Sequence, residues 1–217
     1  MKDFRIRCQR INNIMAKPTG SRIVSAGAET FMKKWFTEKL YERREEIYSK
    51  YMDKGNAVEE DSINYISKCL LNQDLIKNDE WFSDDFIHGT PDVITENEII
   101  EVKNSWNCFT FPLLDTELKN KAYFYQVQGY MHLTGLKKAK VIYTLMDTPE
   151  DVIERQWNPS KGEYDLFREK FIFSHISDDY RIKVFNIDYD ADVIETIKSR
   201  VLACREYIDK LKISLSL

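Results

Sequence analysis

The sequence is poor in the residues that break a chain or cross-link it. Its 217 residues include seven glycines, five prolines and four cysteines. So few glycines and prolines leave no flexible linker, and we expect one domain large enough to bury a proper core. The cysteines lie far apart without a Cys-x-x-Cys pair, which excludes a zinc knuckle and a disulfide framework and predicts reduced thiols.

Long apolar runs are also missing. No segment approaches the roughly 18 apolar residues of a membrane span. The amino terminus, MKDFRIRCQRINNIM, lacks the apolar core of a signal peptide. These absences predict a soluble intracellular protein with no membrane partner.

The charged residues are distributed unevenly along a chain whose formal net charge is -4. Residues 1–28 are mainly basic, and residues 118–146 carry five lysines and no acid, whereas acids collect at 78–101 and 147–195. Such a chain can hold phosphates on one face while being acidic overall. Solvated surface charge explains any single lysine equally well.

Hydrophobic periodicity predicts an α/β fold in which helices flank a central mixed β-sheet. Apolar residues spaced three and four apart predict a helix over residues 28–52, ended or broken by Gly55, and a second helix over 57–71. Short runs rich in isoleucine and valine at 85–94 and 98–104, joined by a polar loop, predict a β-hairpin.

The rest of the chain predicts alternating helices and strands. A helix that begins at Asp115 or Thr116 should end at Gly135, because glycine readily adopts the left-handed conformation that follows a helix. The further predicted elements are a strand at 139–146, a helix from Thr148-Pro149 to about residue 170, a strand near 180–189 and a closing helix at 191–211.

The predicted strand at 98–104 places a carboxylate and an ammonium group side by side. Side chains alternate across a strand, so Glu101 and Lys103 share one face. An edge strand with one solvated face gives the same alternation, and Glu117 and Lys119 repeat the spacing elsewhere. The spacing alone therefore does not identify a site.

Asp92 distinguishes the pair Glu101 and Lys103 from the pair Glu117 and Lys119. It follows Pro91 and precedes Glu101 by nine residues, so the hairpin can bring the two carboxylates together. Two adjacent carboxylates resist ionisation unless a cation lies between them, and oxygen ligands suit Mg²⁺ or Mn²⁺. Lys103 beside such an ion could place an attacking water or help to deprotonate it. The pattern indicates metal-assisted phosphodiester hydrolysis.

Four motifs resemble those of known nucleases, and along the chain they occur in the order Gly-x-x-x-Glu, Pro-Asp, Glu-x-Lys and Gln-x-x-x-Tyr. Pro91-Asp92 followed by Glu101-Val102-Lys103 resembles the signature of the PD-(D/E)xK nuclease superfamily. The segment 55–59, GNAVE, resembles the Gly-x-x-x-Glu helix of the lambda-type and YqaJ-like phage exonucleases. The segment 126–130, QVQGY, resembles the Gln-x-x-x-Tyr motif of RecB-type nuclease domains, and a spacing of four puts its ends on one helix face.

The resemblance implies a fold and a metal site. It implies a single nuclease domain over 1–217, with an αβββαβ core of the restriction-endonuclease type at about 20–146 and an extension of helices and a strand at 147–217. Glu59, Asp92, Glu101 and the backbone carbonyl of Val102 would hold one or two Mg²⁺ or Mn²⁺ ions. Whether Glu60 also contacts the ion stays open. The catalytic set implied is Glu59, Asp92, Glu101 and Lys103.

The resemblance also implies DNA contacts. Gln126 and Tyr130 would position the strand, and Arg22 and Ser21 would contact a 5′ phosphate. His88 lies four residues before Asp92, so on an unbroken strand it shares that face and is either a metal ligand or a structural residue.

An aromatic run follows the strand that carries Glu101 and Lys103. Its members, Trp106, Phe109 and Phe111, either pack in the core or stack on unpaired bases.

The function that the resemblance favours is a Mg²⁺-dependent DNA exonuclease of the phage recombination type that digests duplex ends. Its partners would be DNA, a single-strand annealing protein and further copies of itself, in the cytoplasm of a bacterium or a phage-infected host. An endonuclease of the same superfamily, or a non-catalytic DNA-binding protein on the same scaffold, are the alternatives.

Overall fold

The protein folds into two β-sheets with helices packed around them, as seen in a computed structural model that describes residues 4–46 and 48–216. The described helices are α1 (Asn12–Met15), α2 (Ala26–Leu40), α3 (Lys50–Ile66), α4 (Lys121–Thr134), α5 (Glu150–Glu154), α6 (Tyr164–Arg168) and α7 (Ala191–Ser214). The described strands are β1 (Ile6–Arg7), β2 (Phe82–Ser83), β3 (Ile87–Gly89), β4 (Val93–Ile94), β5 (Ile99–Asn104), β6 (Lys138–Thr144) and β7 (Ile182–Asp188).

The larger sheet has the strand order β4-β5-β6-β7 and is mixed, as predicted. β4 and β5 are antiparallel, with Val93 opposite Ile100, and form the predicted hairpin. β5 and β6 are parallel, which requires a crossover, and α4 supplies it. β7 then runs antiparallel to β6 along its whole length. The predicted α/β class with helices flanking a mixed sheet is confirmed.

The predicted strand at 85–94 is divided between the two sheets. β3 belongs to the smaller sheet, of order β1-β3-β2, whereas β4 alone pairs with β5. Pro91 lies at the division, where it has no N–H to offer to a strand ladder. The carbonyl of Asp92 instead accepts a hydrogen bond from the N–H of Asn78 (2.8 Å). Asp92 therefore lies where the chain leaves one sheet and joins the other.

Both faces of β5 are covered. Ile99 packs in the cluster that includes Val127 of α4, and Ile100 packs with Ile63 and Ile66 of α3. β5 is consequently an inner strand, and the edge-strand explanation of its alternating sequence is wrong. Glu101 lies on the face that turns toward α4, which sets up the site described below.

The predicted helix over residues 28–52 is wrong in its middle. α2 ends at Leu40, and α3 begins at Lys50 after Ser49, whose hydroxyl accepts a hydrogen bond from the N–H of Tyr51 (3.3 Å). The connecting segment is rich in charged side chains that have nothing to bury, and Glu42 adopts a positive φ of 51°. Ile47, which contributed to the predicted pattern, lies outside the described residues.

Gly55 neither ends nor breaks a helix, because α3 continues through it. Glycine lowers helix stability by about 1 kcal/mol relative to alanine, which a helix of 17 residues tolerates. α4 starts later than predicted, at Asn120, whose side chain accepts a hydrogen bond from the N–H of Ala122 (3.0 Å). Its end at Gly135, in the left-handed conformation, is confirmed.

The last third of the chain packs onto the rest. The predicted helix from Thr148 to about residue 170 is wrong: α5 and α6 are short, and Pro159 and Gly162 lie in the connection between them. β7 and α7 confirm the predicted strand and closing helix, and α7 buries Ile197, Val201 and other apolar residues in the main core. None of the helices in the described ranges is long and apolar enough to cross a membrane.

Candidate active site

A cavity of about 450 Å³ collects most of the residues that the sequence motifs single out. We call it the acidic pocket. It is lined by parts of α3, the chain before β4, β5 with the loop that follows it, and α4. Its lining includes Glu59, Asp92, Glu101, Val102, Lys103 and Gln126.

Glu101 is the most deeply buried charged group of this pocket, at 1% exposure. Its Oε1 accepts hydrogen bonds from Lys103 Nζ (2.6 Å) and from Gln126 Nε2 (2.6 Å). Its Oε2 is also buried but has no hydrogen-bond partner in the described part of the chain. A buried carboxylate oxygen without a partner is costly in free energy, so Oε2 is suited to a cation.

Asp92 is held beside Glu101 by the backbone. Its Oδ2 accepts a hydrogen bond from the N–H of Val102 (2.8 Å), which follows from the antiparallel register of β4 and β5. Burial, and then the charge of Glu101, raise the pKa of Asp92 well above its usual range, against the opposing effects of Lys103 and this N–H. The pair is thus electrostatically strained, and a positive charge would relieve it.

Lys103 is the positive charge that the pocket already contains. Burial alone would lower the pKa of its ammonium group, but Glu101 and Asp92 outweigh burial and raise that pKa above its usual range. The ammonium also lies 4.6 Å from the ring centroid of Tyr123. Lys103 is therefore held as a charged hydrogen-bond donor, pointing into the pocket that Asp92 and Glu101 share.

Glu59 enters the pocket from α3 but has another partner. Its Oε1 lies 2.9 Å from Nζ of Lys77, on a segment that bridges to Val93 of β4. Among the residues that the structure describes, no three His, Cys, Asp or Glu side chains already lie together as a metal-ligand cluster. Glu59 thus shares the pocket with Asp92 and Glu101 without closing on them. Its sequence neighbour Glu60 is exposed.

The residues present nevertheless fit a hard divalent cation. The donors are carboxylate oxygens and a backbone carbonyl, the ligands that Mg²⁺ and Mn²⁺ prefer. Glu101 Oε2 lacks a partner among the described residues, and the raised pKa of Asp92 marks uncompensated negative charge. Glu59 is partly exposed and needs only to exchange one partner in order to contribute.

Gln126 and Tyr130 lie on one face of α4, as their spacing predicts. Gln126 lines the acidic pocket, and its Nε2 is also 3.2 Å from the hydroxyl of Tyr130. Tyr130 is completely buried behind it. In this arrangement Tyr130 acts on the pocket through Gln126, which in turn fixes Glu101.

Other residues singled out by the sequence lie elsewhere. Arg22 and Ser21 are exposed in the loop between α1 and α2, outside the described lining of the acidic pocket, and their role with DNA stays a prediction. His88 lines a different cavity and packs against Trp81, with ring centroids 5.4 Å apart. The reason is the break at Pro91, which separates β3 from β4.

The three aromatic residues that follow β5 lie in different environments. Trp106 and Phe111 are buried in two apolar clusters, which fits the core-packing interpretation. Phe109 lies between them with 93% of its surface exposed.

One glutamine lines this site and two further lysines contact residues of it, although no motif contains them. Lys54 of α3 is completely buried, and its Nζ donates to the carbonyl oxygens of Trp106 (3.2 Å) and Met146 (2.6 Å). It ties α3 to the chain beyond β5 and β6. Lys77 holds Glu59, and Gln9 lines the pocket from the amino-terminal side. Their contacts are distant in sequence, so local patterns gave no signal for them.

No protein-family model matches the sequence, and no curated protein matches it significantly. Solved structures do match. The chain is similar to a phage-related exonuclease from Haemophilus somnus 129PT, with 26% identity and a TM-score of 0.84, over 98% of this chain and 96% of that one.

The chain is also similar to an alkaline exonuclease from Laribacter hongkongensis, with 16% identity and a TM-score of 0.66 over 98% of this chain and 93% of that one. A second structure of that alkaline exonuclease, LHK-Exo, in complex with dAMP, matches with the same coverage and TM-score at 17% identity. At these identities the likeness shows the fold alone. The match at 26% identity confirms the resemblance to phage-related exonucleases that the motifs predicted.

Proposed function

We propose that this protein is a metal-dependent DNA exonuclease of the phage recombination type, which hydrolyses phosphodiester bonds from duplex ends. The observation that carries the proposal is the acidic pocket, in which Asp92, Glu101 and Lys103 lie together. The fold around it is shared with a phage-related exonuclease at a TM-score of 0.84. The charge and shape of the pocket suit a metal ion and a phosphate group rather than an apolar ligand.

In the proposed mechanism the residues that would hold Mg²⁺ or Mn²⁺ are Glu59, Asp92, Glu101 and, through its carbonyl oxygen, Val102. Such an ion, when bound, stabilises charge on a phosphoryl oxygen and lowers the pKa of a bound water. Oε2 of Glu101 and the carboxylate of Asp92 are the oxygens best prepared for this, because they carry the uncompensated charge of the pocket.

The remaining residues position the reacting groups. Lys103 is held in its charged form, so it is suited to donate hydrogen bonds to a phosphate oxygen and to the attacking water. Gln126 fixes the rotamer of Glu101 through the 2.6 Å hydrogen bond, and Tyr130 supports Gln126 from behind. Both are positioning residues in this scheme.

The experiment uses a duplex labelled at its 5′ or 3′ end and a plasmid in linear and closed circular form. With Mg²⁺, the protein should degrade the linear DNA and leave the circle intact, and the label released first reports the polarity. Cutting of the closed circle would favour the endonuclease alternative. Calcium should support DNA binding but little hydrolysis, because its shell is larger and looser.

Two variants test the site itself. Asp92→Asn and Lys103→Ala should each lower the rate of hydrolysis by at least about 100-fold, the scale on which preorganised charged groups act in catalysis. Asp115→Asn, at a residue outside the described pocket lining, is the matched control and should leave the rate unchanged. Undiminished hydrolysis in both site variants would refute the proposal. Absence of calorimetric Mg²⁺ or Mn²⁺ binding would favour the non-catalytic alternative.

The proposal extends to partners. An enzyme that exposes single strands at duplex ends needs a single-strand annealing protein to receive its product, and assembly of several copies would help it to stay on one DNA molecule. Size-exclusion chromatography with light scattering, with and without duplex DNA, tests the assembly.

A further inference from the structure

A second cavity, of about 300 Å³, adjoins the turn at 8–10 that borders the acidic pocket. Gln9 lines the acidic pocket, whereas Arg7 and Arg10, on either side of it, line the second cavity. We call this the basic cavity, because cations outnumber acids among the described residues that line it. Those cations are Arg5, Arg7, Arg10, Lys34 and Arg44.

The acids of this cavity do not neutralise its arginines. Glu45 is paired with Lys34. Arg7 and Arg10 make no hydrogen bond or ion pair with any residue in the described ranges, and Arg5 makes only long hydrogen bonds, to Ser83 Oγ (3.4 Å) and to a backbone carbonyl (3.5 Å). The guanidinium groups therefore keep their donors for a ligand, in a chain that is acidic as a whole.

His88 adds a further polar group to the basic cavity. It stands opposite Arg7 in the β1–β3 pairing, and its Nδ1 is buried without a hydrogen-bond partner in the described part of the chain. Burial lowers the pKa of His88, and the neighbouring Arg7 and Arg5 lower it further. Neutral at physiological pH, the imidazole leaves the positive charge of the arginines in place and can donate or accept one hydrogen bond.

The relation between the two pockets is fixed by the core. Cys8, at the start of the turn, is completely buried against two glycines. A Cβ atom on Gly129 of α4 would lie 2.8 Å from Cys8 Sγ, and one on Gly89 would lie 3.3 Å from it. Because only glycine permits this approach, the turn is set at one distance from α4. Arg7, Gln9 and Arg10 therefore face their cavities from a rigid support.

Protection of a sheet edge is the other explanation for these arginines. β1 is an outer strand of the smaller sheet, and charged residues on an edge strand discourage pairing with other chains. That explanation covers Arg5 and Arg7 but not Arg10, which lies on the turn beyond the strand. It also gives no reason for a concave surface with Arg44 contributed from the loop after α2.

We propose that the basic cavity binds backbone phosphates of the DNA strand whose scissile phosphate lies in the acidic pocket. The inference rests on the proposed function and adds to it the path of the strand. A strand carries one phosphate per 3.4 Å of helix axis, and residues within the segment 7–10 line the two pockets, so a strand that runs from one pocket to the other brings neighbouring phosphates to Arg7 and Arg10. Guanidinium groups suit phosphate oxygens because they donate two parallel hydrogen bonds.

The test measures binding of a fluorescein-labelled 12-nucleotide DNA strand by anisotropy, with EDTA and in the Asp92→Asn background so that hydrolysis does not interfere. Adding Arg7→Gln and Arg10→Gln together should weaken binding about tenfold at low salt and reduce the slope of log K against log salt by about 1.4, because each phosphate contact on a single strand contributes about 0.7 to that slope. The matched control adds Arg155→Gln and Lys210→Gln, which remove two exposed charges from α5–α7 and should change binding less than twofold.

Two further variants separate folding from binding. Arg7→Lys with Arg10→Lys keeps the charge and should bind within about threefold of the parent. If the glutamine pair aggregates, the single variant Arg10→Gln, at a residue outside β1, should weaken binding about threefold and reduce the slope by about 0.7. The proposal would be overturned if the glutamine pair bound the probe as tightly as the control variant does. The same holds for Arg10→Gln where it replaces the pair.

Competitors identify the class of ligand. Unlabelled DNA should displace the probe, whereas polyglutamate of equal charge should not. Displacement by polyglutamate at the same concentration would assign the cavity to an acidic protein segment, and full displacement by inorganic phosphate at low millimolar concentration would assign it to free phosphate. Either result overturns the proposal. Failure of the wild-type protein to hydrolyse DNA would refute the proposed function but leave arginine-dependent binding measurable.

Discussion

Lys77 is a competitor for one of the proposed metal ligands. Its ammonium group lies 2.9 Å from Glu59 Oε1, and the hydrogen bond and charge of Glu59 raise the pKa of Lys77. A divalent cation that recruits Glu59 must share the carboxylate with this ammonium or displace it. We therefore expect Lys77 to lower the affinity of the pocket for such a cation.

We expect Lys77→Met to tighten Mn²⁺ binding about three- to tenfold, because a nearby positive charge opposes a dication even in a well-screened site. Isothermal titration calorimetry measures the change without any DNA. Lys68→Met, at an exposed lysine after α3, is the control and should have no effect. Weaker Mn²⁺ binding in Lys77→Met would instead mean that Lys77 holds Glu59 in the orientation the ion needs.

Lys54 makes stability depend on pH in an unusual direction. Burial lowers the pKa of its ammonium group to about 8, with Asp147 opposing, whereas the unfolded chain has its ordinary value of 10.5. Between these values the unfolded state binds more protons, so the contribution of Lys54 to the free energy of unfolding rises with pH. Its destabilising effect is complete below about pH 8 and disappears above about pH 10.5.

Replacing Lys54 with Met should remove this rise. Relative to the variant, the wild type should gain on the order of 2–3 kcal/mol in free energy of unfolding between pH 7 and pH 10. Urea denaturation of both proteins at each pH gives the difference in their free energies of unfolding. Protonation of all other groups contributes equally to both proteins and cancels from this difference. Lys119→Met, at an exposed lysine, should show a flat difference. A flat difference for Lys54→Met would contradict the lowered pKa.

At the residue scale, the sequence predicted the groups whose position depends on local geometry. Asp92, Glu101 and Lys103 are placed by strand alternation and one hairpin, and both can be inferred from a short stretch of chain. Lys54 reaches its carbonyl partner across 92 residues of sequence, and no periodic pattern encodes such a contact. The catalytic roles of Asp92, Glu101 and Lys103 stay predictions, and the Asp92 and Lys103 variants proposed above test them.

At the scale of elements, α4 and the turn at 8–10 pack closely against each other, with Gly129 of α4 facing Cys8. Gly129→Ala should destabilise the protein by about 1–3 kcal/mol, because the new methyl group would overlap Cys8 Sγ in a core without spare volume. Chemical denaturation measures the loss, and DNA affinity should fall with it as the turn moves.

Gly55→Ala is the matched control for that substitution. It also lies within a helix, but a Cβ atom there meets nothing within 4 Å. The change should therefore stabilise α3, by up to about 1 kcal/mol, through the higher helix propensity of alanine. Equal effects of the two substitutions would contradict the close contact between Gly129 and Cys8.

Element boundaries show why part of the fold escaped prediction. The helix over 28–52 failed at a charged segment, where the apolar spacing continues by chance although nothing covers it. The division of the strand at 85–94 depends on Asn78 capturing the carbonyl of Asp92, a contact from another part of the chain. Strands β6 and β7 and helix α7 were predicted well because packing on a sheet imposes their periodicity.

At the scale of the whole molecule, the last third of the chain is part of the fold. α7 packs against α1, α2 and α4, and it buries Ile197 and Val201. The likeness to the Haemophilus somnus exonuclease also covers 98% of this chain, well beyond the segment that carries the motifs.

Ending the chain at Asp190 should therefore abolish cooperative unfolding, because the apolar faces under α7 would be exposed. Circular dichroism during heating measures cooperativity. Ending it at Lys212 instead removes a mainly exposed end and should lower the melting temperature by only a few degrees. A cooperative transition in the shorter protein would show that the core folds without its final helix.

Trp106 gives the molecule an optical probe of its own site. The indole ring is 5% exposed, lies among the residues of the acidic pocket, and belongs to the residue whose carbonyl accepts a hydrogen bond from Lys54. Its ring centroid is 5.2 Å from that of Phe171. With the other three tryptophans changed to phenylalanine, its emission should change in wavelength or intensity as cations or oligonucleotides enter, so occupancy becomes readable in real time without any attached dye.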